Sequence, residues 1–239
     1  MRRFGHIGTG NFHERNAGVY EDLSLFTANP KITGELSKLF DFFENSFERK
    51  VYRNLFVSPF STRRRFTKVI DDEIARAEKG EEAWMDLKLN NIVDAGMIDK
   101  LYQASQAGVK VRMVVRGICA LKAGVPGMSD NIEVRSIVGR YLEHSRFMRF
   151  CNGGKILTTI SSADWMTRNL DRRVEVTAPV LDAEIARDLG EHFERMWSDN
   201  THARRLLPDG NNEWVKSTDA ETLVQAQQDL YLELKGRVK

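Results

Sequence analysis

The sequence predicts an α/β fold in which a mixed or parallel sheet is flanked by helices. Segments with strand and helix periodicity alternate along residues 54–118. The run VKVRMVVRGI at 109–118 is the clearest strand, because it is apolar and rich in β-branched residues. Helices between successive strands are typical of sheets whose strands run in the same direction and carry the helices on their faces.

Helices are predicted where apolar residues recur at three- and four-residue spacing and where polar caps or glycines mark the ends. They cover residues 33–50, 62–79, 94–108 and 182–197. Asp94 and Asp182 are the expected N-caps of the last two helices. A weaker helix is predicted from Asp219 to about Lys235, begun by a capping box of Thr218 and Glu221.

Strands are predicted in shorter apolar or alternating runs that are bounded by turn residues. They cover residues 54–60, 83–89, 109–118, 133–138, 145–150, 155–160 and 173–178. The last four are expected to form two pairs, 133–138 with 145–150 and 155–160 with 173–178. A loop rich in glycine and proline separates the two halves of the sheet at residues 124–131.

The composition is that of an ordinary globular chain of 239 residues with a net charge of +2. The near-neutral charge argues against a protein that coats nucleic acid. Two distant cysteines without CxxC spacing argue against a structural zinc site and favour a reducing compartment. No run approaches the ~18 apolar residues that span a bilayer, and the first residues lack the apolar core of a signal peptide, so a cytoplasmic location is expected.

Positive charge is concentrated in one stretch. Residues 135–173 carry eight Arg or Lys and three Asp or Glu, a local charge of +5, which indicates an anionic ligand such as phosphate. A second cluster, Arg63 to Arg65, falls in the first turn of a predicted helix, where the helix dipole disfavours positive charge. This cluster is interpreted either as a solvated surface run or as a second anion site.

The strongest candidate for chemistry is His144, because Arg146 follows it by two positions. On a strand, both side chains would point to the same face. An imidazole can act as a nucleophile or proton donor beside a cation that holds phosphate oxygens. Spacing alone leaves a structural role equally open, and the surrounding arginines favour the site. Arg116 is a further candidate, since it lies at the carboxyl end of its predicted strand, where such sheets bind ligands.

An H-x-R pair on a strand, followed by a small-residue turn with an acid, resembles the phospholipase D-like superfamily. Longer motifs are more specific. The strings HIGTGNF, VYEDLSLFTA, VVRGICALKAGVPGMSDNIEVRSIVGRYLEHSRF and SSADWMTRNLDRRVEV, in this order, resemble the polyphosphate kinases, which transfer the ATP γ-phosphate to polyphosphate. The resemblance runs from His6 to about Asp199.

The resemblance implies a phospholipase D-like mixed sheet flanked by helices, with two such domains facing each other across an active site. Residues 1–50 are expected to end the first domain, 54–200 to form the second, and 201–239 to form a helical tail. The histidine that becomes phosphorylated, in a first H-x-K motif, is expected upstream of Met1, so this fragment alone is expected to be inactive. Mg²⁺ would arrive with ATP, with its ligands outside this chain. The resemblance further implies a homo-oligomeric full-length enzyme in the cytoplasm, with peripheral attachment to the inner membrane as an alternative.

The family motifs also imply roles for individual residues. His144 matches the second active-site histidine and is the expected catalytic residue. The expected nucleotide and phosphate contacts are Tyr20, Arg116, His144, Arg146 and Arg173, and the expected accessory residues are His6, Asn11 and Asp164. Structural alternatives stay open: Tyr20 as a residue at the core edge, and Arg116 and Arg173 as partners of Asp171 or Glu175.

Two other functions remain as hypotheses. One is a phospholipase D-like phosphodiesterase or nuclease, which the H-x-R and SSAD patterns favour but the single histidine motif disfavours. The other is a non-catalytic module that binds anions, whose binding would depend on charge and not on His144.

Overall fold

The computed structural model describes residues 2–48, 50–216 and 223–237. The helices are α1 (Glu14–Ala17), α2 (Pro30–Glu44), α3 (Thr62–Ala77), α4 (Ala95–Gln106), α5 (Thr167–Asp171), α6 (Ala183–Trp197) and α7 (Ala226–Arg237). The first strands are β1 (Gly5–Gly8), β2 (Tyr20–Glu21), β3 (Ser24–Thr27), β4 (Phe56–Ser58), β5 (Trp84–Leu89), β6 (Lys110–Val115) and β7 (Ile132–Ile137). The remaining strands are β8 (Leu142–Glu143), β9 (Phe147–Phe150), β10 (Leu157–Ser161), β11 (Glu175–Pro179), β12 (Ala203–Leu206) and β13 (Asn212–Trp214).

The centre of the fold is a nine-stranded mixed sheet with the strand order β13-β12-β7-β6-β5-β9-β10-β11-β4. The strands β5, β6 and β7 are parallel, and the other neighbours pair in the antiparallel direction. The predicted α/β class, a mixed sheet flanked by helices, is therefore confirmed.

Apolar side chains cover both faces of this sheet. Successive residues of a strand point to opposite faces, and in β6 Met113 belongs to one buried cluster while Val114 belongs to the other. The first cluster includes Phe66 of α3 and Leu101 of α4, and the second includes Phe193 of α6. The sheet is thus a fixed layer between helices.

The first fifty residues reach the large sheet through a separate, very short pairing. Strand β2 pairs with β8 in the parallel direction, with Tyr20 opposite Leu142 and Glu21 opposite Glu143. Strands β1 and β3 form their own antiparallel pair. The β2–β8 pairing brings residues that are distant in sequence to one place.

The predicted pairing of 155–160 with 173–178 is confirmed by β10 and β11, but the pairing of 133–138 with 145–150 is wrong. Strand β7 lies between β6 and β12, whereas β9 lies between β5 and β10. The chain between these two strands leaves the sheet because β8 pairs with β2 instead. Periodicity predicts where a strand is, but it carries no information on a partner so far away in sequence.

The predicted ends of two segments also change. Helix α2 begins at Pro30, after the N-cap Asn29, and ends at Glu44, short of the predicted residue 50. Residues 201–239, expected to be a helical tail, also supply β12 and β13, which extend the sheet beyond β7. The predicted capping box of Thr218 and Glu221 lies outside the described residues. None of the helices in the described ranges is long and apolar enough to cross a bilayer.

Glu35 joins α2 to the segment that leads into β4. Its buried carboxylate accepts the N–H groups of Arg53, Asn54 and Leu55 and the Asn54 side-chain amide, at 2.8–3.1 Å. A Glu35→Gln substitution would replace one of the two acceptor oxygens by an NH₂ group, and this donor would then face the N–H donors. We expect it to lower the free energy of unfolding by about 2 kcal/mol, since hydrogen bonds to charged groups contribute roughly 1.5–3 kcal/mol.

Urea unfolding followed by circular dichroism measures this change. The matched control is Glu44→Gln at the exposed end of the same helix, where a change within about 0.5 kcal/mol is expected. Equal stabilities for the two variants would contradict the role assigned to Glu35.

Candidate functional site

The candidate site lies at one edge of the sheet. The parallel directions of β5 and β6, together with the antiparallel steps to β9 and β10, bring the carboxyl ends of β5, β6 and β10 to the same edge as the beginning of β9. Chain segments that follow these strands carry Asn90, Arg116 and Asp164, and Arg146 precedes β9. Ligands of open α/β sheets bind at such carboxyl ends.

Asp164 is the centre of the hydrogen-bond network at this edge. Its buried carboxylate accepts the backbone N–H groups of Asn90 and Asn91 at 2.9 and 2.8 Å, and the side-chain amides of both residues. It also accepts two hydrogen bonds from Arg146, at 3.2 and 2.9 Å. Burial alone would raise the pKa of Asp164, but the charge and hydrogen bonds of Arg146 and the bonds from Asn91 lower it below its ordinary value. Asp164 is therefore a charged support whose hydrogen-bonding capacity is already used.

Arg146 connects this support to His144. Its Nη1 donates to the carbonyl oxygens of Thr9 and His144, at 3.0 and 2.8 Å. The same nitrogen is 3.3 Å from Nδ1 of His144 and 3.2 Å from Nε2. Nearly equal distances to both ring nitrogens indicate a cation held against the imidazole and not one directed hydrogen bond. The predicted proximity of His144 and Arg146 is present, although both lie between β8 and β9 and not within a strand.

Asp22 is the partner of His144. Its carboxylate oxygens lie 2.9 and 3.0 Å from Nδ1 of the imidazole, and Thr9 Oγ1 donates to the same carboxylate at 2.7 Å. Gly10 leaves room for this carboxylate, because a Cβ at that position would lie 2.0 Å from Asp22 Oδ2. The β2–β8 pairing extends to this point, since the His144 N–H donates to the carbonyl of Glu21 at 3.1 Å.

Two predicted residues flank the His144 group. The ring of Tyr20 is half-buried beside the imidazole, with centroids 4.8 Å apart. Arg116 follows β6 and donates from Nη2 to Asn90 Oδ1, while its buried Nε has no hydrogen-bond partner among the described residues. Because Asn90 also donates to Asp164, Arg116 belongs to the same network as His144.

Within the described ranges, the other predicted residues make no hydrogen bond, ion pair or ring contact with the His144 group. Arg173 is exposed between α5 and β11, and within the described part of the chain its guanidinium has no hydrogen bond or ion pair. His6 lies between the rings of Phe12 and Phe26, at 4.9 and 4.7 Å. Asn11 is exposed in the loop after β1.

The structural alternatives for the arginines fail on geometry. The Asp171 carboxylate accepts hydrogen bonds from Arg63, and the Glu175 carboxylate accepts from Ser162 and Asn169. Within the part of the chain that the structure describes, neither carboxylate pairs with Arg116 or Arg173.

The Arg63–Arg65 cluster is mostly occupied within the protein. Arg63 donates to both carboxylate oxygens of Asp94 at 2.7 Å and to Asp171 at 2.8 and 2.6 Å. Arg65 lies over the ring of Phe56 and donates to the Arg53 carbonyl. These two guanidinium groups join neighbouring elements, so neither the solvated run nor the second anion site describes them.

Sequence reasoning missed Asp22, Thr9 and Asn90. Asp22 follows Tyr20 by two positions, and on an extended segment this spacing places both side chains on one side. That spacing was a usable signal for Asp22. Nothing local indicates Thr9 or Asn90, because their roles arise from contacts with residues more than ten positions away.

Family models and curated relatives match this chain over most of its length, and they indicate the same family. The family model "Polyphosphate kinase C-terminal domain 1" matches residues 1–49, and "Polyphosphate kinase C-terminal domain 2" matches residues 55–227. Curated polyphosphate kinases from Yersinia pestis and Escherichia coli (strain K12) are 45% and 44% identical over 98% and 90% of this chain. The chain spans about a third of their length, 34% and 32%.

A solved structure shows the same agreement in three dimensions. The crystal structure of polyphosphate kinase from Porphyromonas gingivalis superimposes with a TM-score of 0.94 at 39% sequence identity. The match covers 99% of this chain and 36% of that chain.

The contact of Asp22 with His144 predicts a single tautomer for the imidazole. A carboxylate at Nδ1 favours the form that carries its proton on Nδ1. We expect Asp22→Asn to give a mixture of both neutral tautomers, because an amide can donate as well as accept. Long-range ¹H–¹⁵N NMR of His144 distinguishes the two forms. Asp41→Asn on the exposed side of α2 is the control, and an unchanged spectrum for Asp22→Asn would refute the contact.

The Arg63–Asp94 pair predicts a dependence of stability on pH. The hydrogen bonds from Arg63 hold the pKa of Asp94 at about 2, against the opposing effect of burial. A carboxyl whose pKa is lower in the folded state stabilises the fold above its unfolded pKa and loses this contribution as the pH falls toward the folded pKa. Between pH 5 and pH 2, we expect the free energy of unfolding to fall by about 2 kcal/mol more in the wild type than in Asp94→Asn.

The Asp94→Asn variant isolates charge, because asparagine still caps α4 by accepting the Met97 N–H. Urea unfolding at several pH values gives the two curves. Asp72→Asn removes a surface pair with Lys68 and is expected to leave the slope unchanged. Parallel curves for wild type and Asp94→Asn would contradict the assignment.

Proposed function

Because the chain belongs to the polyphosphate kinase family, we propose that it is the C-terminal catalytic region of an enzyme that reversibly transfers the terminal phosphate of ATP to inorganic polyphosphate. The transfer proceeds through a phosphohistidine that lies outside this chain. The observation that carries the proposal is the contact between His144 and Asp22, since it joins an imidazole and a carboxylate from the two matched regions at 2.9 Å. The family match favours this function over a phosphodiesterase and over an anion-binding module.

In this proposal His144 is the catalytic residue and acts on the phosphate opposite the phosphohistidine. The Asp22 carboxylate accepts a hydrogen bond from the Nδ1–H of His144, so that Nε2 is directed to the substrate. The Arg146 cation beside the ring stabilises negative charge on phosphate oxygens, and Asp164 fixes Arg146 in place. Asp164 is then a positioning residue, since its oxygens are all used within the protein. Phosphoryl transfer depends chiefly on such positioning and charge neutralisation.

Tyr20 and Arg116 are proposed to bind the nucleotide. The half-buried ring of Tyr20 offers an aromatic face beside His144, and adenine can stack on such a face. Arg116 uses Nη2 in a bond to Asn90, which fixes the guanidinium while leaving other N–H groups for phosphate oxygens. Both roles are supported by the proximity of these side chains to the His144 network.

Arg173 is proposed as a phosphate contact and His6 and Asn11 as accessory residues. The exposed, unbonded guanidinium of Arg173 supports a role that is filled only when an anion is bound. His6 keeps its place through its two aromatic neighbours, and Asn11 lies in the loop that continues to Phe12. No contact with His144 supports these three residues, so their roles rest on the family motifs.

Mg²⁺ is proposed to enter with ATP and to neutralise charge on its phosphates. Among the described residues, no group of three or more His, Cys, Asp and Glu side chains is placed to hold a metal ion. The carboxylates nearest His144 are already used, Asp22 by Thr9 and the imidazole, and Asp164 by Arg146 and the asparagines. The residues present therefore do not fit a magnesium site, and the roles proposed above involve no metal ligand from this chain.

Further proposals concern the whole protein. We propose that residues 1–50 end one phospholipase D-like domain and that 54–200 form a second, a division that the separate family matches at 1–49 and 55–227 support. The substrates are ATP or ADP and polyphosphate, with no nucleic-acid partner. The full-length enzyme is proposed to be a cytoplasmic homo-oligomer.

Titration of ATP into the 239-residue chain by calorimetry tests the proposal. We expect saturable binding without turnover. Arg116→Ala should weaken binding by about tenfold or more, because a charged hydrogen bond contributes roughly 1.5–3 kcal/mol. Arg187→Ala is the matched control, since this arginine lies on the exposed face of α6 among surface ion pairs. Absence of ATP binding in a folded sample would overturn the nucleotide site.

Polyphosphate binding separates the enzyme from a simple anion-binding module. We expect His144→Ala to weaken the binding of long-chain polyphosphate, measured at fixed salt concentration. Binding that is lost at raised salt but unchanged in His144→Ala would favour the module instead.

A further inference from the structure

A cavity of about 370 Å³ lies between α6, α7 and the β2–β8 pair. Its walls are mainly apolar, with Leu189 and Met196 from α6 and Leu230 and Leu234 from α7. This volume is in the range of cavities that hold small organic ligands.

Helix α7 closes the cavity through specific contacts and not through a continuous apolar face. Gln227 donates to the Tyr141 carbonyl and to the Glu143 carboxylate, at 2.8 and 2.7 Å. Arg237 forms ion pairs with Asp188 of α6 and with Glu233 of its own helix. The helix is thereby attached at both ends, and Arg195 of α6 also pairs with its Glu233 beside the cavity.

One polar side chain faces this cavity without a hydrogen bond. His192 of α6 is 7% exposed and lines the space, and neither ring nitrogen has a hydrogen-bond partner among the described residues. The nearest carboxylate oxygen, Glu21 Oε1, is 3.7 Å from Nε2, which is beyond hydrogen-bonding distance. A buried polar group without a partner is unfavourable, so a ligand that supplies one is stabilised here.

The charged side chains around the cavity determine whether it favours a cationic or an anionic ligand. Besides His192, the lining includes six acidic residues and two arginines. Five of the acids already pair with a basic side chain: Asp22 with His144, Glu143 with Lys88, Asp188 with Arg237, Glu191 with Arg187 and Glu233 with Arg195. Glu21 uses Oε2 to accept from Ser145 at 2.5 Å, which leaves Oε1 toward His192. Burial would raise the pKa of Glu21, but His192, Lys88 and Ser145 lower it to about 2, so the carboxylate is ionised at neutral pH.

We propose that this cavity is a binding site for an amphipathic amine, with an apolar chain between α6 and α7 and an ammonium group at Glu21 Oε1 and His192. Apolar walls accept the chain, and the ionised Glu21 carboxylate stabilises the cation. One imidazole nitrogen accepts one N–H of the ammonium group, and the carboxylate accepts another. The cavity borders the candidate site at Tyr20 and Asp22, but the proposed ligand contacts, Glu21 and His192, are not among the residues proposed to bind phosphate, so the site goes beyond the proposed function.

Binding of n-hexylamine to the chain, measured by calorimetry at pH 7, tests the site. Saturable binding of one molecule per chain is expected, and n-butylamine should bind about fifteenfold more weakly, since each buried methylene changes affinity by about fourfold. Glu21→Gln should weaken hexylamine by about tenfold or more and leave n-hexanol unchanged, because only the amine carries charge.

Two variants of one helix locate the ligand. Leu230→Trp fills the cavity and should abolish binding, whereas Leu232→Trp adds the same ring outside the cavity and should leave binding intact. Circular dichroism establishes that each variant is folded. Absence of saturable binding by the folded wild type, or binding unchanged in Leu230→Trp, would overturn the site. Because ATP binding is measured in the same samples, failure of this site is distinguishable from failure of the proposed function.

Discussion

The geometry at the sheet edge depends on one buried carboxylate, that of Asp164. Its hydrogen bonds to the backbone and side chains of Asn90 and Asn91 fix the chain after β5, and its pair with Arg146 fixes the chain before β9. A buried ionic group is costly unless all of its hydrogen bonds are made, and here they are. Removal of the carboxylate would leave the Arg146 cation buried without its counter-charge, which costs far more than the pair contributes.

The candidate site is assembled from two regions of the chain that are distant in sequence. Asp22 and Thr9 come from the first fifty residues, while His144 and Arg146 lie between β8 and β9. Buried charges also occur where the regions meet, because Lys88 lies within 3.4 Å of Glu143 and donates to the Ser145 carbonyl. Polar contacts of this kind specify one register, since a shift by one residue would leave each of these groups unpaired.

Periodicity predicted the central strands, helices α3, α4 and α6, and the pairing of β10 with β11, because these elements bury a regular apolar face. It failed for β2 and β8, since two-residue strands have no period and their partners are far apart along the chain. The sequence motifs identified His144, Arg146 and Asp164 as candidate site residues, and the structure places them in contact. They did not indicate that Asp22 contacts His144 or that the Asp164 carboxylate accepts hydrogen bonds from Arg146, because these contacts join residues that are far apart in the sequence.

The short β2–β8 pairing has a consequence for how the site opens. Local unfolding free energies are small where few contacts are made. This pair joins Tyr20–Glu21 to Leu142–Glu143 with a few further hydrogen bonds from Leu142, His144 and Ser145, whereas the nine-stranded sheet is secured on both faces. Separation of β2 from β8 would part Asp22 from His144 while the sheet stays folded. The form in which Asp22 contacts His144 is then a fraction of the folded population. The apparent dissociation constant of any ligand that needs both Asp22 and His144 rises in inverse proportion to that fraction. By the same linkage, binding of such a ligand would favour the state in which β2 is paired with β8.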